Sequence, residues 1–477
     1  MKSTTPASFY SLLETKFPHT PTATQSVALQ KLAEFTLSSI KDEVFLLKGY
    51  AGTGKTTLIG TLVNSLWKVQ KKAVLMAPTG RAAKVMSNYS NTQAFTIHRK
   101  IYFPKKQSGG GVQFVLAPNK HRDTLFIVDE ASMIPDTAAD SKLFENGSLL
   151  DDLMMFVYSG HKCKLLLIGD TAQLPPVHLV LSPALDADKL SLNYNKEVIQ
   201  LELNEVVRQA GGSGILANAT LLREQLQGDF FDDFKFDVSP FTDIVRLIDG
   251  NEIQEAIDSS YSENGKEETA FIVRSNKRAN LYNQNIRERI LFLENDIAVG
   301  DFMMVVKNNY YWLKPSSEAG FIANGDIIEV LEIFDIKEIY TFKFAEVKVK
   351  MVDYPNMAPF ETVLLLDTIA AESPSLSYED GNRLYQEVMK DFAHESSKYK
   401  KFLGVKNNKY FNGLQVKFSY AITCHKSQGG QWNTVFVEQP YLPNGIDKEY
   451  LRWLYTAVTR AKNKLYLIGF KDDFFVD

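Results

Sequence analysis

The chain has 477 residues, 45% of them hydrophobic and 23% charged, a make-up that buries real cores and a length that suits about three domains. A formal net charge of −4 excludes a global basic field, so any nucleic-acid site has to come from local patches. Cys163 and Cys424 are the only cysteines, which excludes a disulfide framework or a four-cysteine metal or iron–sulfur centre and suits a reducing cytoplasm. The opening stretch MKSTTPASFYSLLETKF lacks the basic and apolar regions of a signal peptide. No run reaches the roughly eighteen apolar residues of a membrane span, so no membrane is expected.

In chain order, residues 44–49 (VFLLKG), 73–77 (AVLMA), 125–129 (LFIVD) and 164–169 (KLLLIG) are short apolar runs ending in small or acidic residues. They read as strands buried on both faces of a parallel sheet, with a helix over 56–70 giving the βαβ rhythm. Residues 99–124 break it: a glycine triplet between aromatic flanks predicts a hairpin. The acidic stretch 228–268, with Asp229, Asp232, Asp233, Asp237 and Asp243, reads as a solvated face or linker. A second set of strands follows at 270–274, 416–422, 434–438 and 464–469. Between its members, 300–367 alternates and is rich in Val, Ile, Tyr and Phe, as a small antiparallel barrel would be, and 378–403 turns helical and charged.

The chemistry concentrates at strand ends. GYAGTGKTT, residues 49–57, fits G-x-x-x-x-G-K-[ST] through Gly49, Gly54, Lys55 and Thr56, between a strand and a helix. There the backbone of Gly52, Thr53, Gly54 and Thr57 cradles phosphates, Lys55 reaches the β and γ oxygens, and Thr56 binds Mg²⁺. In LFIVDEASM, residues 125–133, Asp129 holds the same ion through water and Glu130 orients or deprotonates the attacking water. In LLLIGDTAQLPPV, residues 165–177, Gln173 is either a γ-phosphate sensor or a simple loop cap. Together these stretches predict an NTP hydrolase using ATP and Mg²⁺.

The order of stretches resembles superfamily 1 helicases of the RecD-like and phage Dda-like branch, superfamily 1B, over nearly the whole chain. TPTATQSVAL (20–29) is similar to the Q motif, which implies that Gln25 reads the adenine edge. APTGRAAKVM (77–86) resembles motif Ia, with Arg81 and Lys84 near the DNA backbone, and FTIHRK (95–100) motif Ib, with His98. LELNEVVRQA (201–210) resembles motif IV, with Arg208, and FIVRSNKRANLYNQNIR (271–287), with Asn276, the opening of the second motor domain. NNYYW and NGDIIEV (308–312, 324–330) resemble the SH3-like insertion. CHKSQGGQW (424–432) resembles motif V and LYTAVTRAKNKLYLIG (454–469) motif VI, with Arg460.

The resemblance implies an α/β fold of two RecA-like P-loop motor domains. The first spans 1–207 with a β-hairpin pin at 98–124, and the second 208–299 and 411–477. An SH3-like β insertion with a helical extension occupies 300–410. It implies a 5′→3′ translocase and DNA helicase acting on single-stranded DNA and single-strand/duplex junctions, a monomer, with replication or repair proteins as partners. Arg208 and Arg460 become arginine fingers that complete the site when the domains close. His425, Lys426 and Ser427 face the strand and Gly430 the nucleotide phosphates. Phe114 aligns with the wedge of the pin, unless it merely packs the ribbon to its own domain. An RNA-directed helicase and a non-motor P-loop switch are the competing readings.

Overall fold

In the computed structural model, residues 5–106, 112–136, 148–207, 212–314, 317–443 and 445–476 are described. The first eight strands are β1 (Glu43–Gly49), β2 (Lys72–Ala77), β3 (Ala94–Thr96), β4 (Tyr102–Lys106), β5 (Val112–Leu116), β6 (Thr124–Val128), β7 (Lys164–Gly169) and β8 (Glu197–Leu203). Six of them form one parallel sheet in the order β3-β2-β6-β7-β1-β8. Every residue of β6 and β7 is buried, as strands covered on both faces must be. One face packs Phe45 and Leu47 against the helices Pro6–Lys16, Ala23–Leu37 and Lys55–Val63; the other packs Val44 and Leu46 against the helix Leu149–Ser159. β4 and β5 leave the sheet as the expected antiparallel hairpin, whose tip at 107–111 lies outside the described residues.

The second sheet is also parallel, in the order β16-β10-β17-β18-β9, and a five-stranded closed barrel, β11 to β15, interrupts it. Its first two strands are β9 (Ile244–Leu247) and β10 (Thr269–Val273). The barrel comprises β11 (Phe302–Val305), β12 (Ile327–Ile339), β13 (Phe342–Met351), β14 (Phe360–Leu365) and β15 (Leu414–Phe418). β16 (Ala421–Thr423), β17 (Trp432–Glu438) and β18 (Ala461–Ile468) return to the sheet. Helices Tyr378–Lys390 and Lys398–Lys406 form an arm packed on Phe342, Phe344, Val363 and Leu365 of the barrel.

Two expectations need correction. The stretch 416–422 is not one strand: it breaks at Ser419–Tyr420, so that β15 closes the barrel and β16 edges the sheet. The acidic stretch 228–268 is not a linker, since it supplies β9 and the helix Gly250–Asn264. Its Asp243 carboxylate accepts from Gly214 N and the Ser213 hydroxyl at 2.8 and 2.7 Å, tying down the start of the helix Gly214–Gln227.

The junction of barrel and sheet is locked by a buried ion pair. Arg287 donates from Nε and Nη2 to the two Asp301 oxygens at 2.9 Å each. The same carboxylate accepts the Tyr420 hydroxyl at 2.9 Å and Ala298 N at 2.7 Å. Removing one charge strands the other in a low dielectric, which costs roughly 3–5 kcal/mol. Asp301→Ala should therefore lower the thermal midpoint clearly, and Asp301→Asn less so, in a melt followed by circular dichroism. An unchanged midpoint would show that the pair does not hold this junction.

Candidate nucleotide and strand site

The loop after β1 turns on glycines at positive φ, Gly52 at 75° and Gly54 at 83°. Gly54 is the N-cap of the helix Lys55–Val63 and offers no side-chain cap, so the first N–H groups of that helix are left for an anion. A Cβ on Gly54 would stand 2.5 Å from Gln25 Nε2. The Lys55 ammonium rests on the loop's own carbonyls, donating to Gly49 O at 2.6 Å and Tyr50 O at 2.8 Å. Thr56 is exposed and Thr57 half-buried at the same mouth, while Thr53 is buried and its hydroxyl donates to Tyr50 O.

Gln25 does not present an edge to a base. It is 2% exposed, its Oε1 accepts Thr22 N at 3.0 Å, and its Nε2 donates to Thr53 O at 3.0 Å. Thr22 and Gln25 form a capping box at the start of Ala23–Leu37, and the free end of that box braces the phosphate loop.

At the end of β6 both Asp129 oxygens accept bonds, one from the Tyr89 hydroxyl and one from Glu130 N, each at 2.8 Å. A carboxylate has about four lone-pair positions, so water-mediated contact with a cation stays open. Among the described residues no group of three His, Cys, Asp or Glu is placed to hold a metal. Exposed Thr56 and half-buried Asp129 thus fit a Mg²⁺ held by few protein ligands together with substrate phosphates. Glu130 has φ +54° and ψ 37°, a left-handed backbone uncommon for a side-chain-bearing residue. Burial pushes its carboxyl up to about 7, with Asp129 and Asp170 adding to the rise and Arg460 and Lys55 opposing it. Gln173, after β7, is 7% exposed and its Oε1 has no hydrogen-bond partner.

The second sheet reaches into this site. The Tyr455 hydroxyl, on the helix Lys448–Val458, accepts Ala51 N from the phosphate loop at 2.9 Å and donates to Asp170 at 2.7 Å. Leu174 N donates to Thr456 Oγ1 at 2.9 Å, and Gln428 Nε2 donates to Leu174 O at 2.6 Å. Arg460 is 3% exposed and among the described residues is held only by neutral acceptors, Thr456 O at 2.9 Å, Gly430 O at 3.3 Å and Thr459 Oγ1 at 3.2 Å. Tyr89, Tyr455 and Thr456 do not stand out in the sequence, and Gln428 shows there only as part of a polar run with no role of its own, although three of the four lie inside the CHKSQGGQW and LYTAVTRAKN stretches. Arg208 lies outside the described residues.

The residues expected on the strand divide. Arg81 stacks on Trp432 with its guanidinium 4.0 Å from the ring centre, and a Cβ on Gly430 would meet both side chains. Lys84 donates to Val352 O at 3.0 Å and stands 3.7 Å from Asp353, both on the barrel side. His425 is exposed and Lys426 half-buried; Lys426 makes no ion pair or hydrogen bond among the described residues, and burial lowers its ammonium to about 8. Asn276 is half-buried at the start of the helix Asn276–Asn285.

Two of these readings, Ser427 and Phe114, are corrected. Ser427 is fully buried and its hydroxyl donates to Cys424 O at 2.7 Å, so it closes a turn. His98 is half-buried and burial lowers its imidazole to about 4, so any bond it makes to a phosphate would be a neutral one. Phe114 is 7% exposed, its ring 4.6 Å from Tyr310 and 6.0 Å from Phe321, so the hairpin docks by it; the aromatic exposed on the hairpin is Phe103, at 42%.

Residues 33–179 match the family description of an AAA domain and residues 418–468 that of a UvrD-like helicase C-terminal domain. The chain is 26% identical to an uncharacterized protein, MJ1519, of Methanocaldococcus jannaschii, covering 92% of this chain but 38% of that protein. It is 26% identical to the ATP-dependent DNA helicase dda of Enterobacteria phage T4, covering 88% of this chain and 93% of the relative. A solved structure of Pif1 helicases at forked double-stranded DNA aligns with 96% of this chain and 94% of that one, at 16% identity and a TM-score of 0.48. The match to a UvrD-like helicase C-terminal domain and the likeness to the helicase dda along most of both chains agree with the resemblance to RecD-like and Dda-like helicases read from the sequence.

Proposed function

We propose that the chain is an ATP-dependent DNA helicase that translocates 5′→3′ on single-stranded DNA and opens single-strand/duplex junctions. The observation that carries the reading is the Tyr455 hydroxyl, bonded at once to Ala51 N of the phosphate loop and to Asp170. A non-motor phosphate switch has no use for a second parallel sheet fastened to its phosphate loop. A motor does, because strain at the nucleotide then reaches every strand-holding side chain on that sheet.

In this mechanism the triphosphate lies on the backbone N–H groups of Gly52 to Thr57, and Lys55 turns from its loop carbonyls to the β and γ oxygens. Thr56 and Asp129 would hold Mg²⁺, which would supply charge neutralisation for the phosphates. Glu130, its carboxyl raised to about 7, takes the proton of the attacking water as a base near the working pH. The unpartnered Gln173 oxygen accepts the water's second hydrogen and fixes its line of attack. Arg460, buried without a carboxylate, stabilises charge on the transferring phosphoryl group. The strand is gripped by Arg81, Lys84, Asn276, His425 and Lys426, of which Lys426 makes no ion pair or hydrogen bond among the described residues.

Strand displacement on duplexes with a 5′ or a 3′ overhang, with ATP and Mg²⁺, tests the reading. Unwinding of the 5′-tailed duplex alone is expected. Unwinding from the 3′ tail overturns the polarity, stronger stimulation by RNA than by DNA overturns the substrate, and ATPase indifferent to all nucleic acid overturns the motor.

Two substitutions test the site. Glu130→Gln should keep nucleotide affinity and lose turnover by roughly a hundredfold or more. Because a base acts only when deprotonated, wild-type turnover should rise with pH through about 7, and that limb should be absent in the variant. Tyr455→Phe leaves Asp170 and Ala51 N each short of one partner, about 1–3 kcal/mol of local cost. It should cut DNA-stimulated ATPase about tenfold while unstimulated turnover changes less, in a steady-state assay with and without oligo-dT. Equal loss of both rates would make Tyr455 a packing residue.

A further inference from the structure

Away from the cleft between the sheets the chain carries a second concentration of positive charge. The arm helix Lys398–Lys406, KYKKFLGVK, holds four lysines in nine residues of a protein whose net charge is −4. Lys398, Lys400 and Lys406 are exposed and enter no ion pair among the described residues. On the neighbouring arm helix Asp380 pairs with Arg383 at 2.9 Å and Glu387 with Lys390 at 2.6 Å, while Glu379 enters no ion pair among the described residues. The field of the lysines is therefore local to their own helix, which carries no acid.

This helix is tied to the hairpin through one loop. The Tyr311 hydroxyl donates to Asn407 O at 3.0 Å and Trp312 Nε1 donates to Asn412 O at 2.8 Å, fixing the loop to the end of the arm. The adjacent residue, Tyr310, is the one whose ring meets Phe114 of the hairpin, tilted, at 4.6 Å. Lys307 and Lys314, in that same loop, are exposed and likewise free of ion pairs among the described residues. The cations thus lie on the loop that meets the hairpin and on the arm. The arm packs on barrel strands, not on either parallel sheet, so this strip is separate from the groove that holds Arg81 and Lys426.

We propose that this strip binds the phosphate backbone of double-stranded DNA ahead of the hairpin, a contact distinct from the single-strand groove and resting on the helicase reading above. Exposed lysines are mobile point charges that meet phosphates without reading bases. Duplex DNA offers them one negative charge per roughly 1.7 Å of axis. Such a contact holds the unopened duplex against the hairpin while the motor draws in one strand.

The test uses the full chain and the triple variant Lys398→Gln/Lys400→Gln/Lys406→Gln, all at exposed positions outside the nucleotide and strand sites. Three probes are titrated across salt: an oligo-dT, a duplex carrying that oligo-dT as its only 5′ tail, and a fork with a second, 3′ tail. The variant should bind the tailed duplex roughly tenfold more weakly at moderate salt, with the slope of log K against log salt reduced by about two to three. Its oligo-dT affinity and oligo-dT-stimulated ATPase should match the wild type. Unchanged binding to the tailed duplex overturns the proposal. A loss seen only with the second tail assigns the strip to the displaced strand, and an equal loss on oligo-dT merges it with the groove; either overturns it. Failure of the helicase reading shows elsewhere, as wild-type ATPase that no nucleic acid stimulates.

Discussion

The Tyr455 hydroxyl accepts the Ala51 N–H at 2.9 Å and donates to Asp170 at 2.7 Å, so one oxygen joins the second sheet to both the phosphate loop and the end of β7. Thr456 and Gln428 hold Leu174 beside it from the same side. Arg460 follows Tyr455 by little more than one helical turn, and its Nε bond to Thr456 O sets its direction. If the helix Lys448–Val458 moves, the tyrosine, the threonine and the guanidinium move as one body. The position of the second sheet is therefore a term in every distance at the γ-phosphate, and this is the constraint on which the rest of the site depends.

The same rigid coupling shapes the strand groove. Arg81 is engaged with Trp432 across the domain boundary, a cation–π contact worth about 0.5–2 kcal/mol, and Lys84 is engaged with the barrel through Val352 and Asp353. Under the proposed function, a phosphate backbone entering this groove would compete with these partners, and what it gained from the first domain would be reduced by what they lose. Lys426 carries no such debt among the described residues. Differences of this size are enough to make one half of the groove hold the strand more firmly than the other.

What the sequence made legible is what is covalently local. The phosphate loop, the Asp129–Glu130 pair and the four apolar runs of the first sheet depend on neighbours a few residues away, and they stand where their spacing put them. Contacts that depend on the fold closing were not legible. Nothing near Tyr455 announces that its partner is more than four hundred residues upstream. Burial misleads in the same way: Ser427 and Gln25 carry polar groups that suit a ligand, and only the packed chain shows that those groups already answer backbone atoms. Phe114 has the alternation of an exposed ribbon residue, but the barrel loop that covers it, with Tyr310 and Phe321, lies about two hundred residues on. The break at Ser419–Tyr420 is hidden for a further reason: both halves are apolar strands, and only the Tyr420 hydroxyl on Asp301 marks where one sheet hands over to the next.

Charge around Glu130 gives the coupling a chemical sense. Its carboxyl is raised by burial and by Asp129 and Asp170, and is held down by Arg460 and Lys55. Lys55 belongs to the first sheet, but Arg460 comes from the second, so withdrawing the second sheet removes a cation and leaves the acids in place. The water admitted by the same movement would relieve the burial that is the main cause of the raised carboxyl, so the two effects on Glu130 oppose each other. Under the proposed function, what withdrawal removes outright is the guanidinium, and that is a direct route from domain position to the rate of hydrolysis.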